Sequence, residues 1–197
     1  MRPLGFELPV PMILFEGLLV AFAVTEAVIR LRSGTNQSGA KREWASFFVI
    51  VVGLVGGIGG AVLAASIATW AAIPFGRIEF FVVGCVLMAF GIAFRIWAVV
   101  VLGRFFTVEV QVHDGQTVVD TGPYRMLRHP SYTGLLATCL GIGLALDNWL
   151  ALVIAVVLPT VTTVFRIRVE ERALLAGLGE PYARFAATRS RLIPGVW

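Results

Sequence analysis

The sequence predicts an all-α integral membrane protein with about five transmembrane helices, a helical hairpin near the C-terminus and an amphipathic tail. Three observations carry that reading. Apolar residues make up 58% of the 197 positions and charged residues only 14%, with a mean hydropathy of +0.87, well outside the averages of soluble domains. The apolar runs are continuous and approach the roughly 20 residues a helix needs to cross the hydrocarbon core, whereas barrel strands are shorter and alternate in polarity. The polar residues, finally, gather in a few clusters between the runs. A chain of this length holds about five such spans and no large soluble domain besides.

The first span, residues 11–30, carries Glu16 near one end and Glu26 near the other. It lacks a basic n-region leading directly into an apolar core, and it lacks a small-residue cleavage pattern, so it reads as a retained helix. A polar linker, residues 33–40 (SGTNQSGA), precedes the second span at 46–72. There Gly53, Gly56, Gly57, Gly59 and Gly60 form two overlapping small-xxx-small registers suited to close helix packing, within the chain or between copies. No strand precedes them, which excludes a dinucleotide-binding loop.

The third span, 78–102, contains Arg95 near the same membrane face as Glu26. Ionisable groups at membrane depth are costly; these two either pair or snorkel structurally, or act directly in function, while Glu16 reads as structural. Residues 103–130 are mixed. Arg104, Phe105 and Phe106 suggest an interfacial anchor, residues 108–112 alternate like a short strand, and Asp114-Gly115 marks a turn. Irregular backbone of this kind is tolerated at the interface or along a protein cavity, because unsatisfied backbone groups are expensive in lipid.

The fourth and fifth spans, 132–147 and 149–168, are separated only by Asp147 and Asn148 and read as a tight hairpin. A helix over residues 170–178, ended by Gly179, and a second opening at Pro181 follow. Leu174, Leu175 and Leu178 share one face, as do Tyr182, Phe185 and Ala186. This pair would either cover the site as a lid or lie as a plain amphipathic surface.

Basic residues orient the chain. Arg30, Arg32, Lys41 and Arg42 follow the first span, Arg104, Arg125 and Arg128 the third, and the six arginines from Arg166 to Arg191 the fifth, so thirteen of the sixteen share one side. The positive-inside rule then places the N-terminus outside and the C-terminal tail in the cytoplasm, of the plasma membrane in a bacterial or archaeal cell. The pI near 9.7 reflects this bias and anionic lipid headgroups; the arginines flank spans and do not form a soluble nucleic-acid face. Cys85 and Cys139 lie within spans as small hydrophobes, and no ligand spacing supports a metal.

Two polar clusters remain. Residues 122–134, GPYRMLRHPSYTG, stand between apolar segments, and thirty-five residues separate Gly134 from Glu170 in the cluster RIRVEE at 166–171. Both fall on the same side of the membrane and bracket the hairpin, which points to one polar site at a membrane face.

Together, Gly122-Pro123-Tyr124-Arg125, Arg128-His129-Pro130-Ser131-Tyr132-Thr133-Gly134, Arg166 with Glu170 and Glu171, and the ending Leu192-Ile193-Pro194 resemble the isoprenylcysteine carboxyl methyltransferase family, which is related to membrane phospholipid methyltransferases. The resemblance covers residues 103–197, the expected methyltransferase core, after three N-terminal spans in residues 1–102. The wide gap between loop and acidic pair favours the isoprenylcysteine-like branch. What the resemblance implies is S-adenosylmethionine held at the cytoplasmic face by Tyr124, His129, Pro130, Tyr132, Gly134, Glu170 and Glu171, with Arg166 and Glu170 as the catalytic pair.

The chemistry agrees with those implied roles. The cofactor's ammonium needs an acidic partner, for which Glu170 serves, and its carboxylate needs donors, for which His129 and backbone N–H groups serve. A carboxylate nucleophile is already ionised at neutral pH and needs only a positioned cation such as Arg166, four residues before Glu170 and so on the same helical face. The expected substrate is the carboxylate of an isoprenylated cysteine or similar lipophilic acid entering laterally, between the fourth span and the first or third. The alternatives are a phospholipid amine or hydrophobic thiol as acceptor, or a non-enzymatic membrane protein. Oligomeric state is not legible.

Overall fold

The structure, a computed structural model, describes residues 9–32, 44–106 and 115–197. The polar linker and the strand-like residues 108–112 lie outside that set. Six α-helices follow one another: α1 (Pro9–Arg32), α2 (Trp44–Ile67), α3 (Arg77–Leu102), α4 (Pro130–Ala145), α5 (Trp149–Leu178) and α6 (Glu180–Ala187), with no strand among the described residues. Four of them, α1, α2, α3 and α5, are long and apolar enough to cross a membrane, and α4 is a shorter apolar helix. This is the expected helical membrane architecture, with the fourth span shorter than the others.

Two boundaries differ from the sequence reading. The second span stops at Ile67, where a 3-10 turn, Thr69–Ala71, replaces the expected last turns. That turn is tied to the hairpin: Asn148 Nδ2 donates to the Ala68 carbonyl at 2.9 Å, and the Ile73 N–H to the Asp147 carbonyl at 3.0 Å. The fifth span does not break near residue 168 but runs on to Leu178. Arg166, Arg168, Glu170, Glu171 and Arg172 are good helix formers with no glycine or proline among them, and only Gly179, at φ 61°, stops the helix. At about 1.5 Å per residue the 30 residues of α5 outreach the roughly 30 Å hydrocarbon core, so its charged end stands beyond the apolar region.

The α4–α5 hairpin is as tight as expected. Asp147 takes a left-handed conformation, φ 52°, Asn148 caps α5 by accepting from the Ala151 N–H at 3.0 Å, and Arg77 Nε donates to Asp147 Oδ2 at 2.7 Å. The side-chain oxygen of Asn148 thereby satisfies one of the orphan donors of the first turn.

α3 packs along α4, α4 on α5, α5 on α2, and α1 against the outer side of α3. The closest approach is between α3 and α4, where Gly84 and Gly91 face Gly141 and Gly134. A Cβ on Gly141 would sit 2.5 Å from the Gly84 carbonyl oxygen, and one on Gly134 2.7 Å from the Arg95 nitrogen. On α2 only part of the glycine cluster is used in this way: Gly53, Gly57 and Gly60 abut Thr162, Pro159 and Ile154 of α5, while Gly56 and Gly59 face open space. Pro159, inside α5, thus nests its ring against Gly57.

The core follows these contacts. Phe15, Ala61, Ala64, Phe81, Met88, Ile142, Leu146 and Ala155 form its main cluster, and Phe22, Ile92 and Leu135 a second one toward the basic face. α1 is held more thinly than the rest. It buries only Phe15, Phe22 and Ile29, one residue per two turns. A fourth attachment is ionic: Glu26 receives Arg95 in a bidentate pair, Nε to Oε1 at 2.5 Å and Nη2 to Oε2 at 2.8 Å, while Arg95 Nη1 reaches Ser131 Oγ at 2.9 Å and its carbonyl at 3.1 Å. The pair that the sequence offered as one structural use of these two charges is thus formed.

Two outcomes test this packing by thermal unfolding in detergent. Gly91→Leu, which overfills the α3–α4 contact, costs about 1–3 kcal/mol or more, whereas Gly56→Ala, with nothing within 4 Å of the new methyl, leaves stability unchanged or slightly higher. Arg95→Met strands Glu26 and costs about 3 kcal/mol or more, and the double variant Glu26→Leu/Arg95→Met recovers most of that loss because it removes both charges.

Candidate active site

Between α4 and the preceding loop the chain must leave helix. Gly122 adopts φ 55°, a region open mainly to glycine, and it lies so close to α3 that a Cβ would meet Val101 at 3.0 Å. The 3-10 turn Gly122–Arg125 follows, with Pro123 and Tyr124 buried. His129 then precedes Pro130, which disfavours helical backbone at the residue before it, and Pro130 opens α4 where its missing N–H costs nothing.

This loop is held from behind by the C-terminal segment. The Arg128 N–H donates to the Ser190 carbonyl at 2.8 Å, the His129 N–H to the Arg191 carbonyl at 3.0 Å, and Thr133 Oγ1 to the Leu192 carbonyl at 2.8 Å. Leu127 and Ser190 form a parallel bridge, and Arg128 Nε donates to the Arg189 carbonyl at 2.8 Å. The ending Leu192-Ile193-Pro194 is therefore part of the loop's support.

In front of the loop lies a cleft of about 100 Å³. Its apolar walls come from Leu102, Phe105, Phe106, Val118, Leu174, Leu178 and Phe185, and its polar end from Tyr124, Arg128, His129, Tyr132, Glu170 and Tyr182. The end of α5 and helix α6 supply one wall of this cleft, through Leu174, Leu178, Tyr182 and Phe185. Burial, reinforced by the Glu170 carboxylate, pushes the Tyr124 phenol well above its ordinary range; burial and the Glu171 and Glu170 carboxylates do the same for Tyr182. Both hydroxyls keep their protons at neutral pH and can donate.

A second cavity, about 250 Å³, lies beside the first. Ile29, Ile50, Val51, Leu54, Val55 and Leu135 make it apolar, and Glu26, Arg30, Arg95 and Arg166 give it a charged end. Tyr132 and Phe106 border both spaces. The Tyr132 hydroxyl donates to Glu170 Oε2 at 2.9 Å and receives Arg166 Nε at 3.4 Å, so it stands between the two residues that the sequence placed on one face of α5.

Of the residues singled out in the sequence, Tyr124, His129, Tyr132 and Glu170 line the first cleft, and Arg166, 2% exposed, lines the second. Three others stand elsewhere. Gly134 faces the backbone of α3 at Arg95, Pro130 is buried at the start of α4, and Glu171 points behind the loop. There Glu171 accepts from Arg128 Nη1 at 2.9 Å and Arg191 Nε at 3.0 Å, with His129 Nε2 at 3.3 Å. Arg128, Arg191 and Tyr182 were not assigned roles from the sequence; Arg191 lies twenty residues from Glu171, a separation with no helical or strand period to reveal it.

Residues 80–180 match the family model described as phospholipid methyltransferase. A probable protein-S-isoprenylcysteine O-methyltransferase of Oryza sativa subsp. indica is 34% identical over 106 residues, 53% of this chain and 56% of that protein. The protein-S-isoprenylcysteine O-methyltransferase of Saccharomyces cerevisiae is likewise 34% identical over 106 residues, covering 53% and 44%. The chain thus spans about half the length of the curated relatives it matches. Among solved structures, the eukaryotic intramembrane Ras methyltransferase ICMT (isoprenylcysteine carboxyl methyltransferase) shares the fold, with a TM-score of 0.60 at 20% identity over 98% of this chain and 70% of that one. The resemblance carried by the loop and the acidic pair is borne out, and the chain belongs to the phospholipid methyltransferase family.

Proposed function

We propose that the protein is an S-adenosylmethionine-dependent methyltransferase acting on the carboxylate of a lipophilic acid of the isoprenylcysteine type. The observation that carries this reading is the meeting of two unlike cavities at Tyr132: a cleft with a polar end, and an apolar one ending at Arg166. The donor set of the cleft fits such a cofactor. Glu170 is a carboxylate for the ammonium, Tyr124 and Arg128 are donors for the carboxylate, and the Phe105, Leu174 and Phe185 walls suit a flat base. When bound, the cofactor supplies a methyl group on a cationic sulfonium.

The chain's own task is then positioning. Arg166 draws an ionised carboxylate to the Tyr132 boundary, and the low-polarity walls keep water away from it. No proton has to leave a carboxylate nucleophile, so no general base is needed; an amine would require one. The balance of charge also favours an acid, since Arg30, Arg95 and Arg166 surround this cavity with Glu26 as its one carboxylate. The apolar cavity lies between α1 and α2, helices not closely packed on each other. On this reading the lateral approach for a lipid-like substrate runs between α1 and α2, with Tyr132 and Leu135 of α4 bordering the cavity. By the charge bias, the site faces the cytoplasm.

Purified protein in detergent is titrated with S-adenosylmethionine and assayed for methyl transfer to N-acetyl-farnesylcysteine, to a lipid amine and to a hydrophobic thiol. The expected result is cofactor binding and transfer to the carboxylate; absence of binding refutes the enzyme reading, and transfer only to amine or thiol refutes the acceptor. Glu170→Ala weakens cofactor binding by about 10-fold or more, the worth of a charged hydrogen bond, whereas Arg166→Ala lowers turnover by roughly 100-fold with cofactor affinity retained.

A further inference from the structure

Glu171 and Glu170 are adjacent in sequence but face opposite nitrogens of one imidazole. His129 Nε2 lies 3.3 Å from Glu171 Oε1, and His129 Nδ1 lies 3.9 Å from Glu170 Oε1. The first is a hydrogen-bond distance and the second is not. Glu171 also receives Arg128 Nη1 at 2.9 Å and Arg191 Nε at 3.0 and 3.2 Å. A carboxylate held by two guanidinium groups stays ionised and can only accept, so the proton of the Glu171–His129 bond belongs to Nε2.

In a neutral imidazole with its proton on Nε2, Nδ1 carries a lone pair. That lone pair and Glu170 Oε1 then face each other as two acceptors across 3.9 Å. Two acceptors repel unless a donor stands between them, and this spacing admits one nitrogen donating to both. Tyr132 meanwhile occupies the other oxygen, donating to Glu170 Oε2 at 2.9 Å. Both His129 and Glu170 line the cleft, whereas Glu171 does not.

Resting on the methyltransferase reading, we infer that Glu171 is a positioning residue that fixes the Nε2–H tautomer of His129, so that His129 Nδ1 and Glu170 Oε1 together accept from the ammonium of the amino-acid end of the cofactor. This reverses the role expected for His129 from the sequence, where it was a donor to the cofactor's carboxylate. It also removes Glu171 from the cofactor-contacting set and makes Arg191, on the C-terminal segment, a partner in holding it.

Two measurements test this. The chain has two histidines, His113 and His129, so ¹⁵N-histidine-labelled protein carrying His113→Asn reports His129 alone. Its ring nitrogens are expected to give one protonated signal at Nε2 and one unprotonated signal at Nδ1; the opposite tautomer, or a doubly protonated ring, overturns the inference. In calorimetric titrations, wild-type protein is expected to bind S-adenosylhomocysteine about 10-fold or more tightly than its analogue lacking the amino group, the worth of a charge-assisted hydrogen bond.

Glu171→Gln, whose amide can donate to Nε2 and shift the proton to Nδ1, collapses that ratio toward one, and Glu171→Asp restores it. A merely structural Glu171 would weaken both ligands equally, which contradicts the inference. If Glu171→Gln fails to fold, the wild-type tautomer and ligand ratio still decide. If wild-type protein binds neither ligand, the methyltransferase reading fails, while the tautomer spectrum continues to report on Glu171.

Discussion

A charge cannot stand unpaired at membrane depth, and the polar architecture of this protein follows from that constraint. Arg95 lies buried in α3 with four of its donor contacts taken, by both oxygens of Glu26 and by the side chain and carbonyl of Ser131. One guanidinium therefore joins α1, α3 and the first turn of α4. Tyr132 is the next residue along, so the same clamp that keeps α1 on the bundle also sets the boundary between the two cavities. The glycines at 84, 91, 134 and 141 make the clamp possible by letting the backbones of α3 and α4 approach within reach.

A second charge cluster does the same at the basic face. Glu171 pairs with both Arg128 and Arg191 and touches His129, binding the C-terminal segment to the loop before α4. The backbone N–H groups of Arg128 and His129 are thereby satisfied outside regular structure, which is what irregular backbone near a membrane requires. Its front is left to the cleft, where Glu170, Tyr124 and Tyr182 present polar groups among apolar walls.

The helices and the hairpin were legible because apolar length and punctuation by Asp147 and Asn148 are local signals. The end of α5 was not: charged residues after an apolar run look like the end of a span, yet they are good helix formers, and only Gly179 stops the chain. Their clustering in two short motifs made it legible that Tyr124, His129, Tyr132 and Glu170 would come together, as they do along one cleft, with Arg166 along the next cavity. Gly134 and Glu171 were recognised as important for another reason than the one the fold gives them. A glycine that meets a helix backbone and a glutamate that faces arginines twenty and forty-three residues away carry no local signature of either contact. The same holds for the cavity between α1 and α2, since apolar residues lining a cavity and apolar residues facing lipid are the same residues in sequence.

The central claim is that a lipophilic acceptor lies between α1 and α2 with its acid at Arg166, back to back with the cofactor cleft across Tyr132. The most direct measurement is photo-crosslinking of a diazirine-bearing prenylcysteine to the protein in lipid nanodiscs, with the labelled residues identified by mass spectrometry. Labelling concentrated at Ile29, Ile50, Leu54 and Val55, and competed by N-acetyl-farnesylcysteine, is the predicted result. A further groove between α1 and α3 is lined by Val24, Val28 and Val99; competed labelling confined to it, or to residues of the first cleft, would contradict the account.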